Sequence, residues 1–237
     1  NEDDMKTSAR KILCSVFLST ILAISGFCFA ACSGTTDEAG EITVCDMKGR
    51  DVKIPSNVQR AIILSAAEAE IAYDLAVSDR IVALGDMCDY PEATSAKQKV
   101  QSGNSINVEQ IVSLKTDVLI TNTMGVTKDQ IESLERQKIP VVVTEATDFN
   151  GVYQSISLIA KVFNKQEKGD EIVKNMKDKI DKYANLAVQQ TLNPSIYVEI
   201  SPLQYGLWSG GSGTFVQDIC DKLKLTNICS DLNGWSS

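Results

Sequence analysis

None of the 237 residues is histidine, which removes the usual general base near neutral pH and the commonest nitrogen ligand for metals. Ser-His-Asp and Cys-His nucleophile systems are therefore excluded, as are histidine-built zinc sites. A Ser-Lys pair fails too: the chain beyond Cys32 holds no SxxK spacing, and Ser209–Gly213 (SGGSG) has glycine where a nucleophile elbow needs its central serine. Gly210–Gly213 (GGSG) is followed by no GK[ST], so it is expected to form a turn before a helix, capped by Ser212 or Thr214, rather than a phosphate loop. Of the seven cysteines, Cys45, Cys88, Cys220 and Cys229 lie beyond Cys32 without a CxxC spacing. They are either small buried hydrophobes or include a disulfide pair. A hydrolase is therefore the less favoured alternative. What remains suits binding: Tyr90, Tyr205, Trp208 and Trp235 offer wide, stiff apolar faces with a polar edge, fitted to a flat macrocycle or a catecholate chelate.

The elements that would position these groups follow from periodicity. Glu41–Pro55 (EITVCDMKGRDVKIP) alternates apolar and polar residues about Lys48-Gly49, a hairpin signal. Apolar runs at 61–64, 81–84, 118–120 and 141–143 then alternate with helical stretches at 67–75, 108–114, 128–137 and 151–163. That order predicts a parallel sheet covered on both faces. Ligands of such sheets sit beyond the strands' carboxyl ends, so Ser65, Tyr90, Asn122 and Glu145 are expected along one edge. From Gln166 to about Ala187 an apolar stripe (Ile172, Val173, Met176, Ile180, Tyr183) on a charged helix predicts a link between two lobes. A second strand–helix series opens at Ser195–Glu199 (SIYVE) and continues at 214–223, with Tyr205, Trp208 and Trp235 on its loops. The fold class is α/β: two Rossmann-like lobes joined by a long helix, the second lobe too short to close a comparable layer. The chain is expected to be a fragment, and Asn1–Asp4 do not read as a biological start.

Ahead of these elements, Lys6, Arg10 and Lys11 precede an apolar run from Ile12 to Ala31 that ends Phe29-Ala30-Ala31-Cys32, the pattern of an export signal. The expected boundaries are a signal at 1–31, a polar tether at 32–40, a first lobe at 41–164, a linking helix at 165–190 and the start of a second lobe at 191–237. With 31 acidic and 23 basic residues the net charge is -8, which offers no footprint to nucleic acid.

Taken in order, DMKGRDVKIP, RAIILSAAEAEIAYDLAVSDRIVALGD, the CDYPEA loop, NVEQIVSLKTDVLIT and GGSGTFVQDICDKLKLTNI resemble the solute-binding proteins of ABC importers for iron-siderophores, haem and cobalamin. The resemblance covers Glu41 to Ser237. It implies a carrier that captures an iron chelate or corrinoid between two lobes, has no cofactor of its own, and delivers the ligand to a permease driven by an ATPase. It also implies that Glu109 sits on the outer lobe surface to meet arginines of the permease, with a counterpart expected beyond Ser237. From the residues alone Glu109 is equally a first-turn carboxylate of a helix capped by Asn107. The Ala-Ala-Cys ending resembles a lipobox, implying a lipidated Cys32 and an anchor at the outer face of the cell membrane or in the periplasm, although Phe29 replaces the usual leucine. A zinc or manganese receptor of the related cluster is the alternative, and the absence of histidine opposes it.

Overall fold

The computed structural model describes residues 40–189 and 193–236. The export segment, Cys32 and most of the tether lie outside the described residues. Strand β1 (Glu41–Cys45) and strand β2 (Asp51–Pro55) pair antiparallel from Glu41↔Pro55 to Cys45↔Asp51. Their alternation buries Val44, Val52 and Ile54 on one face, as the sequence predicts.

Next comes the parallel sheet: β3 (Ala61–Ile63), β4 (Ile81–Gly85), β5 (Gln98–Val100), β6 (Val118–Asn122) and β7 (Val141–Thr144), in the order β5-β4-β3-β6-β7. Period-two side chains split the core between its faces. Ile63, Leu84, Ile120 and Val142 pack with the hairpin, α1 (Ala66–Asp74) and α4 (Phe149–Val162). Ile62, Leu119, Val141 and Val143 pack with α2 (Val108–Ser113) and α3 (Lys128–Arg136). Such continuous apolar strands require cover on both sides, and the helices supply it.

Helix α5 (Gln166–Val188) runs on from α4 after a short turn at Asn164 (φ 56). A Cβ at Gly169 would lie 2.6 Å from Ala160 Cβ, so glycine is what lets α5 pack closely on α4. The expected stripe is real at its start, where Ile172 packs on the first core, but Tyr183 is exposed. The second lobe is described by α6 (Phe215–Leu223) and two small pairings. Strand β8 (Ser195–Ile196) runs parallel to β10 (Thr226–Asn227), and β9 (Ser209–Gly210) antiparallel to β11 (Trp235–Ser236).

Candidate functional site

The strand order reverses between β3 and β6: from β3 the chain moves outward through β4 and β5, then returns to place β6 and β7 on the other side. The carboxyl edge between β3 and β6 is therefore the switch point, where open α/β sheets usually place a ligand crevice. Ser65 lies at this edge and is buried. Its Oγ is 3.2 Å from Thr121 Oγ1 and accepts from the Asn122 backbone N–H at 2.9 Å, stitching β3 to β6. Asn122 Oδ1 accepts from the N–H groups of Met124 and Gly125 at 3.0 and 3.1 Å and so shapes its own turn. A Cβ at Gly125 would stand 2.2 Å from Thr121 Oγ1 and 2.9 Å from Ser65 Oγ, so only glycine fits there. The sequence places Ser65 and Asn122 at the correct edge, and the structure gives both a role in building it.

Glu145 follows β7 at the same edge, where its Oε2 accepts from Lys48 Nζ of the hairpin at 3.0 Å and its backbone N–H reaches Met47 Sδ. The fourth expected residue, Tyr90, is 65% exposed in the loop after β4. That loop is fixed at its base. Cys88 N–H donates to Gly85 O, Lys99 Nζ donates to Cys88 O, and the Tyr73 hydroxyl of α1 donates to Ala93 O at 3.3 Å. Tyr90 is thus a free ring on a held loop. Met87 and Met124, 74% and 86% exposed, stand in the loops after β4 and β6 and were not singled out from sequence. Two apolar residues just past strand ends were the available signal; a search for aromatic rings passes over them.

A buried carboxylate underlies this edge. Ser65-x-x-Glu68 has the spacing of a capping box, yet neither side chain caps α1: Glu68 Oε1 instead accepts from Thr144 Oγ1 at 2.5 Å, tying the first helical turn to the end of β7. On the second lobe, Trp208 Nε1 donates to Tyr205 O at 2.9 Å, which leaves the indole face as its contact surface. Tyr205 and Trp235 are exposed, and Trp235 crosses Gly210 so closely that a Cβ there would meet its ring at 2.8 Å. The GGSG segment is a turn, as expected: Gly213 has φ 75, and Thr214 Oγ1 donates to Gly211 O at 2.7 Å while accepting from Gln217 N–H at the start of α6.

Glu109 is exposed in the first turn of α2, and Asn107 Oδ1 caps that turn by accepting from Gln110 N–H at 3.0 Å. Cys45, Cys88, Cys220 and Cys229 are all free thiols. Burial pushes the Cys88 thiol up to about 11, only partly offset by the Lys99 charge, and burial likewise raises Cys220. In native protein at pH 8, a thiol reagent followed by mass spectrometry should label exposed Cys45 first and Cys88 only after unfolding. A Cys88 adduct at the native rate of Cys45 would contradict this packing. Two surface cavities of about 500 and 460 Å³ flank the Arg50–Glu135 ion pair; the second is lined by Thr123 and Val126 of the loop leaving β6 and by Lys48 and Val143, but neither is lined by Ser65, Tyr90, Asn122 or Glu145.

The chain matches the family model described as "Periplasmic binding protein" over residues 62–237. It is 28% identical over 203 residues to the "Uncharacterized ABC transporter substrate-binding lipoprotein YvrC" of Bacillus subtilis (strain 168), covering 84% of this chain and 64% of that one. It is 30% identical over 113 residues to the "Vitamin B12-binding protein" of Vibrio campbellii, covering 48% and 41%. The chain thus spans less than two thirds of the length of these curated relatives. Among solved structures, the Haemophilus influenzae molybdate periplasmic binding protein MolA superposes with a TM-score of 0.71 at 21% identity, covering 82% of this chain and 68% of that one, a likeness of fold.

Proposed function

Since the chain belongs to the periplasmic binding protein family, we propose that it is the capture component of an ABC importer, holding an iron chelate (siderophore or haem) or cobalamin at the crevice and presenting it to a permease and its ATPase. The observation that carries this reading is the division of labour at the carboxyl edge. Ser65, Asn122 and Glu145 are engaged within the protein, while Tyr90, Met87 and Met124 are left as exposed apolar surface on anchored loops. Covering such a side chain with a flat ligand contributes up to roughly 1.5–3 kcal/mol before the cost of association is met, and Trp208, Tyr205 and Trp235 of the second lobe offer further exposed rings. The relative named for vitamin B12 supports a corrinoid within this class. Glu109 is assigned to permease docking and Cys32 to a lipid anchor that keeps the carrier beside its permease as a high effective concentration.

Tryptophan fluorescence of the full-length protein, titrated separately with cobalamin, haem and a ferric siderophore, should quench with at least one at micromolar concentration or below. Molybdate and zinc belong in the same panel. A response to either of them alone, with the three chelates inert, overturns the assignment.

A further inference from the structure

Helix α4 begins at the carboxyl end of β7, on the crevice side of the first lobe, and its start is capped twice. Asp148, its own N-cap residue, takes the Gly151 N–H at 2.7 Å. The Phe149 N–H is taken at 2.9 Å by Asp218 Oδ2, which belongs to α6 on the second lobe. A carboxylate there meets both an orphan first-turn donor and the positive end of the helix dipole. Around this bond the Phe149 and Phe215 rings approach to 4.9 Å between centroids at 55°, and Lys222 Nζ sits 5.7 Å from the Phe149 centroid and 3.7 Å from Asp218 Oδ1. Tyr153 stacks on Phe149 at 6.5 Å between centroids, and Lys177 Nζ of α5 sits 5.0 Å from the Tyr153 ring centroid. The helices α4, α5 and α6 are thereby joined at a point separate from the covalent link.

We propose that Asp218, with Phe149 and Phe215, is a positioning set that fixes the spacing of the two lobes and hence the width of the cleft between Tyr90 and the second-lobe aromatics. Helix α5, 23 residues long, joins the lobes covalently at one place. The Asp218 cap and the ring contact add a second fastening, so the pair of lobes is held at two points. The consequence for ligand affinity rests on the capture reading above; the consequence for lobe spacing does not.

The test is a distance measured without ligand. Nitroxide labels at Lys128→Cys and Ile228→Cys, in full-length protein with the other accessible cysteines replaced by serine, report the interlobe distance by pulsed electron resonance. Asp218→Ala and Phe215→Ala should broaden the distribution and move its centre by about 2 Å or more, and Asp218→Glu should restore it. Affinity for whichever of cobalamin, haem or ferric siderophore quenches the wild type should fall about tenfold in Asp218→Ala. An unchanged distribution in folded Asp218→Ala overturns the proposal. Should that variant fail to fold, Phe215→Ala, which removes the ring contact and leaves the Asp218 cap, must still broaden the distribution, and a wild-type distribution there overturns it equally. Broadening in a protein whose wild type binds none of the three probes removes the capture reading and leaves the clasp standing.

Discussion

Alanine at position 46 is expected to lower the unfolding free energy by about 3 kcal/mol, measured by equilibrium urea denaturation, at the lower end of what breaking a buried ion pair costs. The Asp46 side chain is 0% exposed and is the hub of the hairpin. Its Oδ1 accepts from the backbone N–H groups of Lys48 and Arg50, both at 3.0 Å, and its Oδ2 from Arg50 Nε at 3.0 Å, Arg50 Nη2 at 2.7 Å and Val143 N–H at 3.2 Å. Removing it leaves buried donors without an acceptor and a guanidinium with half of its partners, although Glu135 and Val141 O still hold Arg50. The Arg50 side chain is 31% exposed, and solvent screening is the reason the lower end is expected. Asp46→Asn, which keeps one acceptor oxygen, should cost less. Breaking the exposed Lys174–Asp178 pair of α5, at 2.6 Å with side chains 73% and 61% exposed, should cost about 0.5 kcal/mol or less. Equal losses at Asp46 and Asp178 would show that burial does not set the difference.

The Asp46 network also shows where sequence reasoning reaches and where it stops. Alternation over 41–55 is a local property, and it gave the hairpin because Val44, Val52 and Ile54 need only one apolar face to pack on. The bond from Val143 to Asp46 joins residues 97 positions apart, and no local pattern records it. The same divide runs through the crevice. Strands β3, β4, β6 and β7 were legible as short apolar runs, so the residues just after them were placed on the correct edge. The assignment of side-chain roles was not legible, because whether Ser65 faces a ligand or Thr121 depends on a partner 56 residues away. Strand β5 (Gln98–Val100) was missed: it is three residues long, two of them polar, and it pairs only with β4 at the sheet edge. The expected strand over Ser195–Glu199 shrank to Ser195–Ile196, since only those two residues find a neighbour, β10. Tyr197 and Glu199 instead lie exposed despite the high strand propensity of the segment.

Reversing the charge at Glu109 should separate capture from delivery. Glu109 is exposed, its helix turn is capped by Asn107, and no ion pair engages it among the described residues, so Glu109→Arg removes no internal contact and should leave stability within about 0.5 kcal/mol. If the residue meets arginines of a permease, the variant sets like charges against each other at a partly desolvated contact, a penalty of several kcal/mol. A loss of about 2.7 kcal/mol corresponds to roughly a hundredfold fall in productive docking. Cells carrying the variant should therefore lose uptake of whichever chelate quenches the purified protein, while its dissociation constant stays within about twofold, since Glu109 lies outside the crevice residues. Glu167 is the matched control: it too is an exposed first-turn carboxylate, at the start of α5, and Glu167→Arg makes the same change in net charge. Helix-dipole loss alone affects both positions equally by about 0.3–1 kcal/mol and cannot produce a selective defect. Equal uptake in the two variants would return Glu109 to the role of a plain first-turn carboxylate, and a loss of affinity in the purified Glu109→Arg protein would place it in the ligand site instead.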